Sequence, residues 1–518
     1  MTSVAEPAVG VARSAAVIGL QAVDVAVEVS MSAGLPAFAV IGATGAAGRQ
    51  AADRVRAALA ATGVRLPPRK ILASLAPADV PTSGARFDLA LAVALLVRLA
   101  LVPPSSVAGS AFLGELALDG GVRPVPAVLP AAAHLAARDT TRLVVADANA
   151  SEARLVGGIE VVAVADLAEL LDVCTGEAPA RSAPPLAPSM ATTVPDLADV
   201  RGQAEARRAC EIAAAGGHHM LLLGPPGCGK SMLAARLVGL LPPLSEDQAL
   251  EVLAVRSVAG LLTSRAPSVL DRTPPLRRPH HATTAAALLG GGSGIAQPGE
   301  ISLASHGVLF LDELFEWPRR LLDALREPLE EGRVRIARAR ATVHYPARFL
   351  LVAAANPCPC GGAGTCECAE AEIWAYRRRL SGPLADRIDL APRLQALRAD
   401  ALVTGTVGES SAAVAARVAD ARSVAVARWG LPNGAVGADR VRATARREAL
   451  RTLGRAVDAG TLSGRGFDRA LRVARTCADL GGDDLVGRTH VLEALAHRAA
   501  LRSVHGRVVH GADTATGA

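Results

Sequence analysis

The sequence predicts an α/β fold in three parts: a mixed α+β N-terminal segment, a parallel α/β core and a helical C-terminal segment. Three observations carry this. An apolar strand runs through a glycine-rich turn into an apolar helix at 220–237. Two later apolar runs, near 308–311 and 350–355, each end in polar residues. Beyond about 400 the pattern is almost purely helical.

At 518 residues the chain is too long for one core. Half of it is hydrophobic but only 2% is aromatic, so Ala, Val and Leu must build the interior. The longest apolar stretch, "FDLALAVALLVRLALVPP", is broken by Asp88 and Arg98 and stops at Pro103. That falls short of the ~20 residues a membrane span needs. With no basic segment leading into an apolar run at the N-terminus, a cytosolic protein with reduced cysteines is expected. The net charge of +6 comes almost wholly from arginine, since the only lysines are Lys70 and Lys230. That excess permits a polyanionic partner, and equally fits a solvated surface with a coding bias.

In order along the chain, "AVDVAVEVSM" alternates as a strand and "AAGRQAADRVRAALAAT" has helical spacing. "LVVADANASEARLVGGIEVVAVADLAELLD" reads strand, helix, strand, helix. These place a first domain at 1–175. A Pro/Ala/Ser-rich linker follows at 176–195, then the α/β core at 196–397 and a helical lid at 398–508, where "SSAAVAARVADARSVAVARW" opens on a Ser cap and three further helical runs follow. A disordered tail takes 509–518.

The chemistry concentrates in the core. Gly224, Pro225, Pro226, Gly227, Cys228, Gly229, Lys230 and Ser231 give the G-x-x-x-x-G-K-S spacing in its required strand–loop–helix setting. Glycines let backbone N–H groups turn inward around phosphate oxygens, and the helix N-terminus adds partial positive charge. Lys230 reaches the β- and γ-phosphates of ATP, and Ser231 can ligate Mg2+. In "GVLFLDEL", Asp312 would hold the magnesium through water and Glu313 would polarise the attacking water. Asn356, at the tip of "ARFLLVAAAN", can orient the same water. These motifs in this order read as an AAA+ ATPase core.

Together with "RPHH", "GGGS", "PGEISLA", "NPCPCG" and "LSGPLADRIDL", they resemble the YifB/ComM-type magnesium-chelatase-like AAA+ ATPases over nearly the whole chain. The resemblance implies an N-terminal Lon-protease-like (ribosomal S5 domain 2-like) α+β domain, an AAA+ P-loop α/β core and a C-terminal helical lid. It also implies a homo-hexamer and ATP-driven branch migration of DNA. Residue by residue, it puts Gly202 and Gln203 at the adenine pocket and makes Arg387 an arginine finger, for which a buried ion pair with Asp386 or Asp389 is the competing reading. Arg465 becomes the lid's second sensor, with Arg472 as competitor. The Ser and Lys positions of the Lon-type dyad fall on Arg86 and Leu129. Arg cannot attack a carbonyl and Leu cannot accept a proton, so an inactive protease scaffold is expected. Ser83 is nearby but has no lysine within the motif.

Two segments suit a ring's central pore. One is Leu276–Gly307, with Arg277, Arg278, His280 and His281 before a glycine cluster. The other is "GRVRIARARATVHYP", in which Arg333 and Arg335, and then Arg338 and Arg340, share strand faces. Phosphate contacts from such arginines are sequence-independent and salt-sensitive. Nucleotide or neighbouring subunits are the competing targets. A DNA-translocating motor and an ATPase that remodels a protein partner therefore both stand.

Cys358, Cys360, Cys366 and Cys368 form C-x-C-x5-C-x-C beside Asn356. Zinc, a metal-free reduced turn and redox control are all open, because structural zinc sites usually use C-x2–4-C pairs. Cys174, Cys210, Cys228 and Cys477 read as packing residues, with Cys228 open to oxidation inside the phosphate loop.

Overall fold

The structure, a computed structural model, describes residues 7–42, 45–78, 80, 84–181, 194–262, 270–292, 294–338, 341–362, 366–396 and 408–501. Most of the expected linker, Ser83, Arg340 and the C-terminal tail lie outside the described residues.

The N-terminal segment builds a seven-stranded mixed sheet from β1 (Val9–Ile18), β2 (Gln21–Ser32), β3 (Ala37–Ile41), β4 (Lys70–Ala76) and β5 (Ser110–Leu113). The short ribbon β6 (Glu115–Leu116) and β7 (Val122–Arg123) stands apart, and β8 (Arg142–Ala146) and β9 (Glu160–Val164) complete the sheet in the order β3-β4-β2-β1-β5-β8-β9. β1 and β2 are antiparallel across a two-residue turn in which Gly19 takes φ 65°, as tight hairpins require. The alternation seen in sequence places Val25, Val27 and Val29 of β2 in the core. The long apolar run forms the helix Asp88–Arg98, buried along its whole length against β1 and β2. Its N-terminal carboxylate, Asp88, survives burial because Arg54 grips it with two hydrogen bonds of 2.6 and 3.1 Å. Burial still pushes the Asp88 carboxyl up, to about 6, against the pull of Arg54. Among the described residues no helix is long and apolar enough to cross a membrane.

The second sheet is parallel. It holds β10 (Met220–Leu223), β11 (Leu276–Arg277), β14 (Val308–Leu311) and β17 (Leu350–Ala355) in the order β10-β17-β14-β11, and bridges from Met220 to Leu390 and from Leu223 to Arg393 extend it beyond β10. Two hairpins flank it: β12 (Gly290–Gly291) with β13 (Gln297–Pro298), and β15 (Arg333–Ala337) with β16 (Thr342–Pro346). Both faces of this sheet are covered, which is why its strands read as unbroken apolar runs. Met220, Leu222, Phe310 and Val352 enter one core, and Leu221, Leu309, Leu311 and Leu351 enter the other. The first core is shared with the helices Ala204–Gly216, Ser411–Trp429 and Gly464–Gly481. Ser410 caps the second of these by accepting the Ala413 N–H, as its sequence predicts. Among the described residues four helices follow it rather than three, because the five-residue Ala438–Arg442 is too short to show a period.

The order of strands reverses between β10 and β17. In open parallel sheets the crevice beyond the carboxyl ends at such a reversal is where ligands bind.

Candidate active site

The crevice is lined by the glycine-rich loop that leaves β10 and enters the helix Lys230–Leu237. Gly227 and Gly229 sit at φ 75° and 95°, where an L side chain is strained. Gly224 has no room for one: a Cβ there would lie 2.7 Å from the Leu394 carbonyl oxygen. Lys230 Nζ donates to the carbonyl oxygens of Gly224 (2.6 Å) and Pro225 (2.9 Å) and to Asn356 Oδ1 (2.9 Å). Burial lowers the pKa of this amine, while Asp312 and Glu313 pull it back up. Ser231 Oγ donates to Asp312 Oδ2 at 2.8 Å. Cis ligands of a magnesium octahedron, at ~2.1 Å each, lie about 3 Å apart. These two oxygens therefore fit that ion as a pair.

β14 delivers Asp312 and Glu313 at its tip. Trp317, fully buried, donates its indole N–H to the Asp312 carbonyl at 3.0 Å and pins the turn. Glu313 lies in the left-handed region at φ 50°, and its carboxylate meets His281 Nδ1 at 3.1 Å. A non-glycine residue held there is a strained one. Nothing in the sequence pairs this histidine with Glu313. The "RPHH" stretch was the available signal, and its basic character pointed instead to a pore.

Gln203, at φ 52°, bridges the loop to the far edge of the sheet. Its Nε2 donates to the carbonyl oxygens of Cys228 (3.1 Å) and Gln395 (2.7 Å). Beside it opens a cavity lined by Gly202, Gln203, Arg207, Glu211 and Glu409. Cys228 is buried within the loop and burial raises its thiol pKa, which argues against the oxidation sensitivity expected of it.

Arg387 is buried at the start of the segment that bridges to β10 through Leu390 and Arg393. It donates to the Pro383 carbonyl at 2.6 Å and pairs with Glu330, not with Asp386 or Asp389. Burial, then the like charges of Arg469, Arg326 and Arg465, lower its pKa. Asp389 is committed elsewhere, to Arg469 at 2.9 Å and His218 at 3.4 Å. Arg465 is exposed, 3.8 Å from Asp386, and so belongs to the same arginine cluster as Arg387. Arg472 is the more buried of the two sensor candidates, with its Nε unpaired.

The segment from 276 holds its cations unequally: Arg278 and His280 are exposed, and Arg277 and His281 are partly buried. Arg277 is held by Glu300 (2.6 and 2.8 Å), Arg278 lies over the Phe310 ring, and His280 stacks on His281. Arg333, Arg335 and Arg338 are exposed, the first two on the outer face of β15 and Arg335 directly across from His344.

Arg86 and Leu129 meet a common neighbourhood. Arg86 donates to the Ala15 and Pro126 carbonyls and attracts Glu152. The Leu129 N–H donates to Glu152 Oε1 (2.8 Å) and Ser257 Oγ (3.3 Å), and Ser257 also donates to the Glu152 carboxylate. Ser257 belongs to the helix Glu246–Val258, so this spot ties the N-terminal segment to the part of the chain that follows the phosphate-binding loop.

The four cysteine sulfurs of the 358–368 stretch lie within 4.8 Å of one another, directly after Asn356.

Residues 196–402 match the family model described as magnesium chelatase, subunit ChlI; residues 27–149 match that of subunit ChlI of Mg-chelatase, and 408–498 that of the subunit's C-terminal part. The chain is 41% identical over 500 residues to the uncharacterized protein YifB of Escherichia coli, covering 94% of this chain and 97% of the relative. It is 40% identical over 501 residues to the competence protein ComM of Haemophilus influenzae, with the same coverage. An uncharacterized protein of Mycobacterium tuberculosis is 45% identical over 500 residues, covering 95% of this chain and 99% of its own.

Proposed function

The chain belongs to the YifB/ComM-type magnesium-chelatase-like AAA+ ATPases, and from that premise we propose that it is an ATP-hydrolysing motor that assembles as a homo-hexameric ring and moves branched DNA. The observation carrying the ATPase half is the meeting of Lys230 with Asn356 and of Ser231 with Asp312 at the reversal point of the parallel sheet. Bound Mg-ATP supplies the phosphoanhydride to be cleaved. Lys230 exchanges its carbonyl partners for phosphate oxygens and neutralises their charge. Ser231 and Asp312 offer the metal-facing oxygens. Glu313, freed from His281, takes the proton of the attacking water, and Asn356 orients that water. Gly202 and Gln203 border the adenine. Arg387 serves the site of the adjacent subunit, with Arg465 beside it in the same cluster.

The DNA half is supported by the exposed Arg333, Arg335 and Arg338, whose contacts to phosphate would be independent of sequence. The commitment of Arg277 to Glu300, which takes one cation of this segment from any phosphate, favours a second reading, in which the ring remodels a protein partner. The domains 1–175, 196–397 and 398–508 divide the work into scaffold, motor and lid. The scaffold has no protease activity, because neither Arg86 nor Leu129 can play its dyad role.

The deciding experiment measures ATP hydrolysis by the full chain with and without forked and four-way DNA, at low and high salt. Stimulation by DNA that declines with salt supports the motor. Hydrolysis indifferent to DNA, with no DNA binding, leaves the protein-remodelling reading.

A further inference from the structure

We propose that Cys358, Cys360, Cys366 and Cys368 hold one zinc ion, and that this ion fixes the loop lying over the phosphate-binding loop. The second half rests on the ATPase reading above; the first does not.

The sulfur of Cys358 is 3.2 Å from that of Cys360 and 3.4 Å from that of Cys366, and Cys360 and Cys366 are 3.6 Å apart. All four sulfurs lie within 4.8 Å, and all four thiols are free. Tetrahedral zinc–sulfur bonds of about 2.3 Å place sulfurs roughly 3.8 Å apart. The set therefore surrounds one ion without rearrangement of the backbone.

The close C-x-C spacing, which counted against zinc in the sequence, is answered by the turn after Cys360. Gly361 and Gly362 take φ 90° and 69°, reversing the chain so that the Gly362 N–H faces the Cys360 sulfur. The Cys360 N–H faces the Cys368 sulfur in turn. Such N–H···S contacts are the outer support that orients and quiets thiolate ligands. Four thiolates with one zinc carry two net negative charges, and the Arg377 guanidinium sits where it attracts both Cys358 and Cys366 while donating to the Pro357 carbonyl at 2.8 Å. Zinc rather than a hard cation follows from a donor set of sulfur alone.

The knuckle is joined to the nucleotide site at two places. Cys358 stands two residues beyond Asn356, which holds Lys230. Gly361 packs on Pro226 of the phosphate loop so closely that a Cβ there would lie 3.0 Å from the Pro226 ring. An ion at the knuckle would set both contacts.

The test uses full-length protein purified without chelators. Elemental analysis is expected to find one zinc per chain. Replacement by cobalt chloride should give the visible bands of a tetrahedral tetrathiolate site. The Cys366→Ser/Cys368→Ser variant should lose both signals, and Lys230→Ala should keep its zinc in full. Well under one zinc per chain together with no cobalt bands overturns the metal site whatever the ATPase does, as do disulfides found by mass spectrometry. For the second half, zinc-stripped protein should bind a fluorescent ATP analogue about tenfold more weakly. Equal affinity in stripped and loaded protein overturns the positional role and leaves the metal site standing.

Discussion

Lys230 Nζ and Asn356 Oδ1 are 2.9 Å apart, joining the loop after β10 to the tip of the neighbouring strand β17. The three N–H donors of Lys230 are all taken, by this oxygen and by the Gly224 and Pro225 carbonyls, so phosphate must displace partners to be bound. Lys230→Ala is expected to abolish ATP turnover while leaving the melting profile close to the parent's. Asn356→Ala should lower kcat by about 10²–10³ with a smaller change in nucleotide affinity. Steady-state hydrolysis and a nucleotide titration check both; full turnover in Lys230→Ala would refute the site.

Glu313 is separable from nucleotide binding, because its carboxylate touches His281 and not the loop. Glu313→Gln should cut turnover by about 10²–10⁴ and still bind ATP. His281→Ala should alter turnover without that collapse, since it restrains the carboxylate and takes no proton from water. A His281→Ala variant as inactive as Glu313→Gln would show instead that the imidazole is part of the chemistry.

Arg387 is predicted to work across a subunit boundary. Arg387→Ala should lose about 10³-fold or more in kcat. Mixing it with Lys230→Ala should recover activity, because mixed rings contain interfaces with an intact lysine on one side and an intact arginine on the other. No recovery in rings shown to be mixed would place Arg387 in a structural pairing with Glu330 alone.

His219 supplies a pH signature. Its Nδ1 accepts the Leu351 N–H at 3.1 Å, which requires a neutral ring, and burial depresses its pKa from 6.5 to about 4. The unfolded chain therefore binds a proton that the folded chain refuses between those values. The stabilisation is complete above pH 6.5 and is lost as pH falls toward 4, amounting to about 2 kcal/mol by pH 5. Denaturant melts of the parent and of His219→Gln, compared from pH 7 to 5, should converge as the parent loses this increment; parallel curves would contradict it.

The alternation of β2, the buried run at 88–98 and the three core strands were all legible, because period and apolar length are local properties. So were Lys230, Ser231, Asp312 and Asn356, whose spacing encodes one loop and two strand tips. What the sequence hid is pairing at long range. Nothing near Arg387 in the chain points to Glu330, and nothing near Leu129 points to Ser257, 128 residues away. Basic composition likewise does not show that Arg277 meets the Glu300 carboxylate, since charge count does not tell which acid a cation will find.

β10, β17 and β14 are parallel neighbours locked by backbone register, Leu223 opposite Ala355 and Leu311 opposite Ala353. Lys230, Asn356 and Asp312 thus ride on a single stiff plate and cannot part company without breaking its ladder. In the proposed ring, a stroke would therefore come from pieces bearing down on that plate, the carboxyl-terminal bundle and an adjoining copy, while the anvil itself stays still.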